Sequence, residues 1–84
     1  LKNASTAYEI SLKLLGEKHM ITVNAATTLA EVKSALGKHK EALELISVAR
    51  SNALQLWEKT HYYTKKVTKR YAQIRFKAFL HGVR

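Results

Sequence analysis

Residues forty-two positions apart repeat one another along this chain, and that offset limits the fold more than any other feature of the sequence. Leu14-Leu15-Gly16-Glu17-Lys18-His19 is echoed by Leu56-Trp57-Glu58-Lys59-Thr60-His61, and the same offset pairs Ala7 with Ala49, Leu12 with Leu54, Thr22 with Thr64, Ala30 with Ala72 and His39 with His81. A fixed period of roughly 20–50 residues marks a stacked architecture, in which one supersecondary unit recurs because it cannot bury its apolar face alone.

The repeated unit reads as helical. Proline is absent and the glycines are only Gly16, Gly37 and Gly82, a helix-permissive composition in which Gly16 and Gly37 stand where a helix should stop. Ala7, Ile10 and Leu14, with Ala4 and Leu15 beside them, share one face of a first helix over residues 4–15. Val23, Ala26, Leu29, Ala30, Val32 and Leu36 predict a second helix from about Thr22 to Leu36, with Thr22 or Asn24 as its cap. A third begins near His39 and carries Ala42, Leu43, Leu45, Ile46, Ala49, Ala53, Leu54, Leu56 and Trp57; a fourth runs from about Tyr62 to Leu80. The short connection at Gly37 forces the second and third helices antiparallel. Ala30, Ala42 and Ala49 remove bulk at their crossing, so that Leu29 and Ile46 fit the gaps. The expected fold is all-α: antiparallel hairpins in a short solenoid of about four helices, one domain over residues 1–84.

The order Thr28-Leu29-Ala30, Leu36-Gly37-Lys38-His39-Lys40-Glu41-Ala42, Ile46, Ala49, Leu56-Trp57 and His61 resembles a tetratricopeptide repeat of the 42-residue, kinesin-light-chain type, over about residues 7–72. The resemblance implies a half repeat over 1–18, a full repeat over 19–60 and a half repeat over 61–84, with Leu29, Ala30, Gly37, Ala42, Ile46, Ala49 and Trp57 as repeat-packing positions. It also implies a protein-interaction scaffold. Met20 and Tyr62 replace the usual linker proline, Thr27 and Thr28 stand where peptide-binding members carry asparagine, and Lys33 replaces an aromatic, so the likeness extends to the framework rather than to a peptide-gripping groove.

Charge divides the chain. Residues 1–58 carry seven Lys/Arg against six Glu, whereas residues 59–84 carry eight Lys/Arg and no acid, which accounts for most of the net +9. Such asymmetry points to an acidic partner: a protein face, an anionic lipid surface or RNA. On the fourth helix Tyr63, Val67, Tyr71, Ile74 and Ala78 form one apolar stripe, and Ala72, Phe76, Phe79 and Val83 form another on roughly the opposite side. The first packs on the third helix. The second has no counterpart to cover it before Arg84, and Lys65, Lys66, Lys69, Arg70 and Lys77 lie between the two. Phe76 and Phe79 are the expected anchors for other protein subunits, with Lys65, Lys66, Lys69, Arg70 and Lys77 as the electrostatic contacts. The competing reading lays this helix along phosphates, with Tyr62, Tyr63 and Tyr71 stacking on bases, as in a peripheral component of a ribosome-like particle.

No nucleophile constellation, acid–base pair, glycine-rich phosphate loop or ligand-spaced His set is legible, so the expectation is a non-enzyme without cofactor or metal. No apolar run approaches the roughly 20 residues of a transmembrane span. The chain opens at Leu1 rather than Met, which fits a fragment or a processed chain. With the basic, cysteine-free composition it gives a mitochondrial protein as the expected class. A core this small is expected to need a neighbour, as an accessory subunit of a larger complex rather than a stable free monomer.

Overall fold

Four helices make up the computed structural model, which describes residues 2–57 and 61–82: α1 (Lys2–Leu15), α2 (Met20–Ala35), α3 (His39–Leu56) and α4 (Tyr62–Leu80). The chain is all-α, with no strand among the described residues, and none of its described helices is long and apolar enough to cross a membrane. The segment 58–60, Val83 and the side chain of Ala4 lie outside the described residues.

Gly37 makes the α2–α3 reversal. At φ +85° it closes a Schellman turn: the Lys38 N–H donates to the Lys33 carbonyl at 2.9 Å and the Gly37 N–H to the Ser34 carbonyl at 3.1 Å. Two of the carbonyls orphaned at the end of α2 are thereby satisfied, and the chain turns back after three residues. At the other end of α2 the expectation needs correcting. The helix starts at Met20, two residues early, and its cap is His19, whose Nδ1 accepts from the Ile21 N–H at 3.1 Å. His61 caps α4 in the same way, its Nδ1 accepting from the Tyr63 N–H at 3.2 Å. The repeated histidines are thus helix caps. Thr22 and Thr64, a further repeated pair, are both buried inside the first turn instead.

The alanines act as the spacing implied. Ala30 and Ala42 are inaccessible to solvent and Ala49 nearly so, and the fully buried Ile46 fills the space they leave between α2 and α3. Val67 and Ile74 of α4 close the same core, against which Leu43, Leu45, Trp57 and Tyr71 pack with partial burial. Two ion pairs tie non-adjacent turns: Lys33 Nζ to Glu41 at 3.0 Å between α2 and α3, and Arg70 Nε to Glu31 at 2.8 Å between α4 and α2.

The molecule is a slab of 33 × 31 × 16 Å. Two helices packed about 10 Å apart account for the shortest of these dimensions, so each helix packs through one side and keeps an outer face. The backbone of α1 packs on that of α2 alone among the described elements. The stripe expected to be its core face, Ala7, Ile10 and Leu14, is exposed; Ser5, Tyr8 and Ser11 turn inward instead. Small Ser5 and Ser11 let the two backbones approach, and the Tyr8 ring supplies the contact with the core.

Candidate functional site

The outer face of α4 carries the site. Thr64, Val67, Ile74 and Ala78 are the buried residues of this helix, at the spacing of one stripe. Rotated away from them, Phe76 and Phe79 are 64% and 70% exposed and Ala72 is exposed beside them. Together with Thr68, Tyr71 and Arg75 they line a groove of about 460 Å³, closed on its α3 side by Arg50. The Arg50 guanidinium lies 5.1 Å from the centre of the Tyr71 ring, a cation–π distance, and its Nε is buried without a hydrogen-bond partner among the described residues. Lys65 and Lys69 extend the groove alongside Leu54.

The seven residues expected to meet a partner therefore divide. Phe76 and Phe79 stand in the groove and Lys65 and Lys69 continue it, while Lys66 lies with Tyr62 on the neighbouring surface. Arg70 lies on that same surface with Lys66 and Tyr62, and also donates from Nε to Glu31 and from Nη1 to Gln73 at 3.1 Å, which ties α4 to α2. Lys77 lines a separate shallow depression with Glu31 and Ser34. Two cations that had not been grouped with the site, Arg50 and Arg75, belong to it. Arg75 was within reach of the sequence, because forty-two positions earlier stands Lys33, another cation on the corresponding face.

The repeat also explains why this face is bare. The positions equivalent to Thr68, Tyr71, Ala72 and Phe76 are Ala26, Leu29, Ala30 and Ser34, all buried on α2. In the first case α3 lies over the face; over α4 no described element does.

At the remote end of α4, His81 stacks on His39 with ring centroids 4.2 Å apart and planes 15° from parallel. His39 opens α3 and is buried, with its Nδ1 unpartnered among the described residues. Burial, then the neighbouring His81 and Lys77, holds its pKa below the ordinary 6.5. A histidine with a depressed folded pKa stabilises the fold in its neutral form. That contribution is complete above 6.5 and is lost as pH falls from there through the lower folded value. Thermal melting between pH 8 and pH 5 should show this loss, and His39→Gln should flatten the profile over that window.

Near the α3–α4 turn Trp57 stacks on His61 at 5.5 Å and leans on Tyr63 at 5.3 Å. Trp57 is partly buried and packs against the core as well. No group of three or more His, Cys, Asp or Glu among the described residues is placed to hold a metal ion. No family model matches the chain, and neither a curated protein nor a solved structure does.

Proposed function

We propose that this chain is a non-catalytic protein-interaction scaffold, an accessory subunit that docks onto a larger assembly through the outer face of α4. The observation that carries this is the groove itself: two largely exposed phenylalanines on one helical face, bordered by cations. Buried aromatic anchors with a charged rim are the usual make-up of a protein interface centre, with the anchors supplying affinity and the charges supplying steering. The tetratricopeptide-like character of the repeat supports the same role. Residues forty-two apart serve as equivalent caps at His19 and His61 and equivalent buried positions at Thr22 and Thr64.

RNA association is the second reading, favoured by Lys65, Lys66 and Lys69 standing beside Tyr62 on an exposed surface. Salt separates the two. A single-stranded RNA oligonucleotide should bind the chain weakly, with affinity falling log-linearly in salt. Phe76→Ser with Phe79→Ser should leave that binding unchanged. Submicromolar RNA binding at about 0.15 M salt, lost on neutralising Lys65, Lys66 and Lys69, would replace the scaffold reading with the RNA one.

A further inference from the structure

Position 75 carries in α4 what position 33 carries in α2, a cation on the side where a second helix belongs. On α2 that side is occupied. The α3 helix runs back along it, and Glu41, in the first turn of α3, meets Lys33 at 3.0 Å. The hydrogen bond from Lys33 and its charge hold the Glu41 carboxyl below its ordinary pKa. The small residues Ala42 and Ala49 let the two helices close.

On α4 the equivalent surface is an open groove, and its charges have one sign. Arg50 and Arg75 line it, Lys65 and Lys69 continue it, and no acid occurs anywhere in residues 59–84. The Arg50 side chain lines the groove with its guanidinium 5.1 Å from the Tyr71 ring centre, so an incoming carboxylate meets a second cation there besides Arg75.

We infer that this groove takes an acidic amphipathic α-helix, lying antiparallel to α4 with its apolar face on Ala72, Phe76 and Phe79 and a first-turn carboxylate on Arg75, as α3 sets Glu41 on Lys33. It rests on the docking role proposed above for α4. Charge argues against a second copy of the chain as occupant. Each copy bears +9, and the exposed stripe of α1, which could otherwise serve, belongs to a helix whose one acid is Glu9. Phe76 and Phe79 stand where α2 and its turn have Ser34 and Gly37, so the occupant must present small side chains opposite them.

The test uses the full chain and two synthetic peptides as long as α3, 18 residues, each with a Leu/Ala stripe. One peptide carries Glu on its polar face and the other carries Lys. Fluorescence anisotropy gives the affinity, and amide chemical shifts locate the site. The Glu peptide should bind with shifts centred on α4, and the Lys peptide should not bind. Arg75→Glu and Phe79→Ser should each weaken binding about tenfold or more, and Lys66→Gln, outside the groove, should not. Both weakening substitutions are at exposed positions, and circular dichroism would verify that the fold is kept. Binding lost in Phe79→Ser but untouched by Arg75→Glu, or shared by the Lys peptide, would sink the acidic-helix inference while leaving α4 a docking face. Absence of binding, or binding indifferent to both substitutions, would overturn the two together. Sedimentation of the chain alone that depends on concentration and on Phe79 would assign the groove to a second copy instead. An RNA oligonucleotide that competes for the groove and needs Phe79 would equally overturn the inference.

Discussion

Ile46→Ala should leave the chain largely unfolded at room temperature. Ile46 is the largest of the fully buried side chains, and it sits at the α2–α3 crossing among Ala26, Ala30, Ala42 and Ala49. Truncating such a residue removes about 2–5 kcal/mol, because the neighbouring helices collapse only partly into the cavity. A core in a domain of this size supplies roughly 3–5 kcal/mol in all, so a single truncation can exhaust it. A urea titration followed by far-UV circular dichroism would show the folded baseline shortened or gone. The contrasting variant is Ile10→Ala. Ile10 is 52% exposed on the outer face of α1, and its loss should move the midpoint by no more than about 0.5 kcal/mol equivalent. Equal damage from the two variants would mean that α1 packs through its aliphatic stripe after all.

Ala42→Leu should destabilise by about 1–3 kcal/mol through overpacking. Ala42 and Ala30 are both inaccessible, and the close approach of α2 and α3 depends on their small side chains. The added atoms must push the helices apart or force strained rotamers. The same substitution at Ala72, the repeat equivalent of Ala30, meets no neighbouring helix among the described residues. Ala72→Leu should therefore be close to neutral, within about 0.5 kcal/mol. Thermal melts of Ala72→Leu beside Ala30→Leu, its equivalent on α2, measure directly how far the α2 environment is reproduced on α4. A large loss in Ala72→Leu would show that the outer face of α4 is covered in solution.

Much of the architecture was legible because its signals are local. Helical periodicity and Gly37 place the α2–α3 hairpin, and the reading of α3 from His39 and of α4 over Tyr62–Leu80 agrees with the observed bounds. The start of α2 was misjudged for a local reason too. Histidine is not among the favoured cap residues, yet its imidazole Nδ1 can accept the same N–H that Ser, Thr, Asp or Asn would take. The recurrence of His19 at His61 was the available clue, since a repeat conserves the geometry of its own turns.

What the sequence by itself determined, then, is the all-α class, the four helices, the small residues at the α2–α3 crossing and the uncovered Phe76/Phe79 stripe. Each follows from spacing within one helix or one turn. The tertiary structure alone decided which stripe of α1 faces inward, that Arg70 pairs with Glu31, that His39 stacks on His81, and that Arg50 joins Arg75 at the groove. These depend on residues from different helices meeting, and an amphipathic helix with two acceptable faces chooses between them only when its neighbour is in place. The backbone of α1 packs on that of α2 alone, so that choice is made by contact with α2.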